Sequence, residues 1–316
     1  MSSDTAGNKT NRQGAWITIG SFDGVHIGHQ QIIKTLVEGA KTDKTSSVVV
    51  TFFPHPAKVL RAFPDPFYLS TPEEKDNALA SLGLTSVLTI QFNRLLASLT
   101  VHEFMSILHN QLKFSCLLIG YDFRLGANRE GDIHRLREIG EKLGYCVRAI
   151  KPLQSTSQVV SSSLIRKLIS DGDITNANTM LGRWFAASGE IIHGDGRGKH
   201  IGIPTANIEP WSEKLIPKIG VYAALAELNG RLYQAVVNIG RRPTFYSTPA
   251  QQTIEVHLLA FNRGIYGSRL CLNFVKRIRD EVKFNSAEDL MRQIRKDIND
   301  SSEVLEYATT EKNLSA

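Results

Sequence analysis

His26 and His29 stand three residues apart in the run Ile19-Gly20-Ser21-Phe22-Asp23-Gly24-Val25-His26-Ile27-Gly28-His29. The apolar run Ala15 to Ile19 before it has the character of a buried strand, and Gln30 to Val37 after it has helical periodicity. A strand, a glycine-bearing turn and a helix start together make an anion site, because free N–H groups and the positive end of the helix dipole converge there. Two imidazoles on one side of the first helical turn can donate hydrogen bonds to phosphate oxygens as charge builds during transfer. A metal centre suits the pair less well, since no Cys or third His lies close by in sequence. The plainer alternative leaves both rings as helix caps or partly buried side chains.

Other segments offer chemistry of the same kind. In Thr51-Phe52-Phe53-Pro54-His55-Pro56, two prolines fix the backbone around His55 and aim its ring; otherwise the segment is a rigid turn. Asp122 follows Gly120 at another strand end and can accept a hydrogen bond, with Arg124 and Arg129 near enough in sequence to meet phosphate. An Asx-type turn and solvated charge are the plainer alternatives there. Ser161-Ser162-Ser163-Leu164-Ile165-Arg166 opens a helix in which one serine is the N-cap. Ser162 and Arg166, four residues apart, can add a hydroxyl and a guanidinium to the free N–H groups and so clamp a polyphosphate.

The second half carries its own set. His193-Gly194-Asp195-Gly196-Arg197-Gly198-Lys199 is a basic, glycine-rich loop without the Walker A spacing, able to close over phosphates or to serve as a plain hairpin tip. Just beyond it, in Ile203-Pro204-Thr205-Ala206-Asn207, Thr205 and Asn207 alternate onto one side and offer two neutral oxygens to Mg²⁺. Glu255 lies among Ile254, Val256 and Leu258 and faces away from them by the period of two. A solvent-facing strand carboxylate is the alternative.

These residues need a scaffold, and the chain supplies one in two parts. With 316 residues it suits two domains, expected at 14–180 and 181–308. Strand-like and helix-like segments alternate in the first half: Ser47 to Phe52, a helix from Pro72, Ser86 to Ile90, a helix from Val101 to Leu112, Cys116 to Gly120, and a helix from Ile133 to Leu143. That order predicts an α/β, Rossmann-like parallel sheet with helices on both faces, whose strand ends at Gly20, Pro54 and Gly120 share one crevice. After Gly182 the pattern becomes short β runs at 187–192, 221–228, 232–239, 253–259 and 270–278, which predicts a small antiparallel β-barrel. A C-terminal helix is expected from near Ser286, capped by Ser286 and Asp289, with Leu290, Ile294 and Ile298 as its apolar stripe.

Composition narrows the classes further. Hydrophobic residues make up 42% and charged residues 22%, and no apolar run is long enough for a bilayer. Residues 1–14 are polar, without the apolar centre of a signal peptide, and are expected to be a disordered lead-in. Cys116, Cys146 and Cys271 lack C-x-x-C spacing, which suits free thiols in a reducing, cytoplasmic setting. The net charge of +6 divides into nineteen basic and sixteen acidic residues in 1–180, and eighteen and fifteen in 181–316. No basic tail of the kind that coats nucleic acid is present, and neither nucleic acid nor membrane is expected as a partner.

Taken in order along Gly14 to Asp297, these motifs resemble the bacterial bifunctional riboflavin kinase/FAD synthetase family. The resemblance rests on the histidine-bearing loop, on T-F-x-P-H-P, on the serine–arginine segment, on Gly202-Ile203-Pro204-Thr205-Ala206-Asn207, and on Asn238-Ile239-Gly240-Arg241-Arg242-Pro243-Thr244-Phe245 before Glu255. It implies an enzyme that phosphorylates riboflavin to FMN and adenylylates FMN to FAD, with ATP as co-substrate and Mg²⁺ as cofactor. It implies that Glu255, His26 and His29 are catalytic. ATP would be bound by Gly20, Phe22, Asp23, Gly24, Ser162, Arg166, Gly194, Arg197, Lys199 and Pro204. Flavin would be held by His55, Asp122, Asn238 and Arg279, and the metal by Thr205 and Asn207. A monomer or weak homo-oligomer is expected. One departure is visible: the family usually has Asp before Phe in the segment after the catalytic Glu, and this chain has Ala260-Phe261. Two alternatives remain: an enzyme with one decayed half, or a flavin-binding regulator without turnover.

Overall fold

In a computed structural model of the chain, the described residues are 14–61, 63, 66–151, 154–155, 158–193, 202–241 and 252–314. They form two compact units, one of residues up to 64 with 72–160, the other of 65–71 with 161–316.

The first unit is built on β1 (Trp16–Ile19), α1 (Ile27–Thr42), β2 (Ser47–Phe53), α2 (Pro56–Arg61), α3 (Pro72–Ala80), β3 (Ser86–Gln91), α4 (Arg94–Ser98), α5 (Val101–Leu112), β4 (Cys116–Gly120), α6 (Ile133–Leu143) and β5 (Cys146–Ile150). A two-stranded hairpin, β6 (Gln154–Ser155) and β7 (Gln158–Val159), follows. The sheet is parallel, in the order β3-β2-β1-β4-β5. Because strand side chains alternate, β1 sends Trp16 to one face and Ile17 and Ile19 to the other. Ile33 and Leu36 of α1 and Leu79 of α3 cover the first face. Phe104, Met105 and Leu108 of α5, with Leu136 and Ile139 of α6, cover the second. Each of these buried side chains contributes about 1.5–3 kcal/mol. The doubly covered parallel sheet expected from the alternation is therefore present, and β1, β2 and β4 end side by side.

The second unit begins with α7 (Ser162–Asp171) and α8 (Ile174–Leu181). Next come β8 (Phe185–Ile192), β9 (Ala206–Pro210), β10 (Gly220–Leu228), β11 (Arg231–Arg241), β12 (Gln252–Leu258), β13 (Arg269–Arg279) and α9 (Ala287–Leu314). The six strands close into a barrel in the order β10-β11-β12-β9-β8-β13. Ala187, Tyr222, Leu225, Val237, Ile254, Val256, Leu272 and Phe274 are among its buried side chains.

The expected division at 180/181 and the compact-unit division at 160/161 differ by the helical pair α7 and α8. Asn178 of α8 explains the difference: its amide donates to the Phe274 carbonyl of β13 and accepts from the Phe185 backbone N–H of β8. Residues 66–71 also belong to this unit. Phe67 and Tyr68 donate to the Glu213 carbonyl, Leu215 donates to the Tyr68 carbonyl, and the buried Lys214 Nζ donates to the Leu69 carbonyl at 2.6 Å.

Candidate functional sites

In the first unit the loop from Gly20 to Val25 turns the chain from β1 into α1. Phe22 (φ 50°) and Val25 (φ 38°) are both left-handed, and Gly24 between them sits at φ 80°. A β-branched residue there costs on the order of 1–3 kcal/mol. Burial of the Phe22 and Val25 side chains offsets that cost, and Gln30 Nε2 holds the Val25 carbonyl at 2.9 Å. Asp23, in the same loop, is only 3% exposed.

His26 takes the plain role as well as any chemical one: it is the N-cap of α1, its Nδ1 accepting from the His29 backbone N–H at 3.3 Å. With Nδ1 used as acceptor, the neutral ring carries its proton on Nε2, which is then a donor. His29 stacks on His26 with centroids 3.6 Å apart and meets the edge of Phe22 at 5.0 Å. The two imidazoles are thus one stacked unit at the positive end of a sixteen-residue helix.

His55 stands beyond β2 and accepts from the Ala57 backbone N–H at 3.1 Å. Asp122 lies beyond β4 and is exposed, and Arg124 donates to the Phe123 carbonyl. The parallel order brings the ends of β2, β1 and β4, after which His55, Gly20 and Asp122 lie, to one edge of the sheet.

Ser161, rather than Ser162, caps α7, accepting from the Leu164 backbone N–H. Ser162 is the first helical residue and half-buried. Arg166 donates from Nε to the Phe67 carbonyl at 2.9 Å, and its guanidinium lies 4.0 Å over the Phe67 ring. Both belong to the second compact unit.

The barrel site is legible from strand register. Glu255 of β12 is opposite Asn207 of β9 on one side and Asn238 of β11 on the other, so three polar side chains form a row on one face. Neighbours Ile254 and Val256 point into the core, 1% exposed each, which puts the row on the barrel's outer face. There a cavity of about 300 Å³ is lined by Thr205, Asn238, Glu255, His257, Arg279 and Glu281, with Leu290, Ile294 and Ile298 from α9. Gly240 makes room in this neighbourhood. A Cβ there would sit 3.1 Å from the Glu281 carboxylate, 3.6 Å from the Asn238 amide and 3.6 Å from the Thr253 hydroxyl.

Arg279 is fixed by a two-pronged pair with Asp297 of α9, at 2.8 and 2.7 Å, and Gln293 also donates to Asp297 at 2.9 Å. His257 Nδ1 lies 2.8 Å from the Pro204 carbonyl and ties β12 to the turn carrying Thr205. Sequence reasoning missed His257 and Asp297 as members of this wall, whereas Arg279 and the run Asp280 to Phe284 were expected near the flavin from the family resemblance. The period of two could have found His257, which shares a side with Glu255. The α9 residues carried no signal of which sheet face they would meet. Gly194, Arg197, Lys199 and Arg242 to Phe245 lie outside the described residues.

The oxygen donors around Asn207, namely Thr205, Asn207 and Glu255, suit a hard cation held together with phosphates. Among the described residues no group of three or more His, Cys, Asp and Glu could hold a metal on its own. Ala260, where the family usually has Asp, is exposed at φ 53° in the turn after β12. Asp is one of the few side chains at ease in that left-handed geometry, so the departure touches a turn.

The FAD synthetase family model matches residues 8–164, and the riboflavin kinase family model matches 181–305. The bifunctional riboflavin kinase/FMN adenylyltransferase of Bacillus subtilis (strain 168) is 38% identical over 283 residues, 89% of this chain and 89% of that protein. The chain belongs to the bifunctional riboflavin kinase/FMN adenylyltransferase family. Its relative of the same name in Escherichia coli (strain K12) is 35% identical over 288 residues, covering 90% of this chain and 91% of that one. The crystal structure of a protein described as a macrolide-efflux protein from Streptococcus pneumoniae matches with TM-score 0.85 at 27% identity, over 93% of this chain and 97% of that one. No described helix of the present chain is long and apolar enough to cross a membrane.

Both family halves are present, so the chain is a bifunctional enzyme, a riboflavin kinase and an FMN adenylyltransferase.

Proposed function

We propose that the two activities divide between the two sites, with kinase chemistry in residues 181–308 and adenylyl transfer in 14–180. The observation that carries the assignment is the row Asn207–Glu255–Asn238 on the barrel's outer face, beside Arg279 and under α9. Riboflavin enters that cavity with its ring against Asn238, Arg279 and the apolar stripe of α9. Glu255 accepts the proton of the ribityl 5′-hydroxyl as its oxygen bonds to the γ-phosphorus of ATP, and ADP departs. Thr205 and Asn207 would hold Mg²⁺, which neutralises charge on the phosphates when bound. Pro204 and the loop bearing Gly194, Arg197 and Lys199 are assigned to ATP.

In the first unit, FMN's phosphate oxygen bonds to the α-phosphorus of a second ATP, and pyrophosphate leaves. No strong base is needed, because the attacking phosphate is already an anion. His26, donating from Nε2, and His29 stabilise the charge that builds on the reacting phosphate. Gly20, Phe22, Asp23 and Gly24 shape the nucleotide loop, and Ser162 and Arg166 are assigned to ATP. His55 and Asp122 contact the flavin. Three cysteines outside any disulfide and a need for ATP support a cytoplasmic location, and a monomer or weak homo-oligomer is the expected assembly.

The test separates the sites. Glu255→Ala should lower FMN formation from riboflavin about a thousandfold, within the range for a lost general base, while FMN still becomes FAD. Loss of both reactions in a folded variant would refute the division.

A further inference from the structure

Lys75 lies in the first turn of α3 and is 7% exposed, an uncommon place for an ammonium group. Its Nζ donates to Thr51 Oγ1 at 3.1 Å. Thr51, 0% exposed, passes the contact on: its hydroxyl donates to the Ser21 carbonyl at 3.0 Å. A hydroxyl has one proton to give, so this polarity is fixed by the lysine on one side and the carbonyl on the other. Ser21 opens the strained loop of Phe22, Asp23, Gly24 and Val25 that ends at the His26 cap. Burial holds the ammonium below the usual lysine range, and the neighbouring Asp76 and then the buried Asp23 act less strongly in the opposite direction.

An apolar side chain would fill the same space without the cost of burying a cation. What the lysine adds is a directed hydrogen bond into the loop and a positive charge beside Asp23. We propose that Lys75 is a positioning residue for adenylyl transfer: through Thr51 it fixes the 21–24 loop in the geometry that the ATP phosphates require. The proposal rests on the adenylyltransferase assignment of this unit.

The full chain is assayed for FAD from FMN and ATP, with circular dichroism and thermal unfolding as the measures of folding and riboflavin phosphorylation as the reaction expected to be unaffected. No FAD from the unaltered protein would remove the adenylyltransferase assignment itself, and the proposal with it. Given FAD, Lys75→Met should raise KM for ATP about tenfold and lower kcat about tenfold, as expected for lost orientation. Thr51→Val should do the same, Thr51→Ser should stay within about twofold of the unaltered protein, and Lys75→Met with Thr51→Val should be no worse than either alone. Riboflavin phosphorylation should not change in any of them. A KM for ATP within about twofold in both single variants, or losses that multiply in the double variant, would overturn the proposal. If Lys75→Met fails to fold, Thr51→Val against Thr51→Ser decides by the same criterion.

Discussion

His26 and Glu255 show how far a single residue's role can be read from its neighbours. Period two set Glu255 apart from Ile254 and Val256, and register then supplied what spacing could not: Asn207 and Asn238 on either side of it. For His26, the cap uses Nδ1 as an acceptor, so the chemical role proposed for it falls to Nε2. His29→Ala removes the stacked partner of His26 and one of the two proposed phosphate donors. FMN adenylylation should fall about a hundredfold or more, with riboflavin phosphorylation retained. Unimpaired FAD formation would take His29 out of the mechanism. Lys75 escaped the sequence because a lysine in a helix's first turn reads as solvated charge, and only the tertiary fold buries it.

At the scale of elements, periodicity located most strands and helices, several to the residue: α5, β4 and α6 span the expected 101–112, 116–120 and 133–143. The two helices each have a buried face and a clear cap, the Thr100 capping box of α5 and the Asp132 cap of α6, and β4 is a buried apolar run. Elements without a buried face were not legible. α4 buries none of its five residues. β5 carries Arg148 in its middle, which breaks the apolar run because its guanidinium lies over the Trp16 ring at 4.6 Å. Two element-scale predictions follow from contacts between elements and turns. Arg279→Met would strand the buried Asp297 carboxylate and cost the barrel about 3–5 kcal/mol, while Arg279→Met with Asp297→Leu should recover much of it. Urea unfolding of the barrel measures both; equal losses in the single and double variants would contradict the argument. Ala260→Gly should stabilise the turn after β12 by about 1 kcal/mol by relieving its left-handed backbone, with kinase activity unchanged. A loss of stability in the same unfolding experiment would mean that the turn is not strained by Ala260.

At the scale of the whole chain, the change from alternating segments to short β runs gave the two architectures, and their ordered motifs gave the family. The division between compact units was not legible. α7 and α8 are amphipathic, and an apolar stripe does not say which core it will join; Asn178, bonded to β8 and β13, decides it. Residues 66–71 are a similar case, tied by backbone hydrogen bonds to Glu213 and Leu215. The central claim is that one chain performs two successive reactions at two separate sites. Chromatography of riboflavin, ATP and Mg²⁺ incubated with the pure protein tests it most directly. FMN should rise first and FAD follow at its expense; FMN that accumulates without FAD, or no product at all, would contradict the two-site claim.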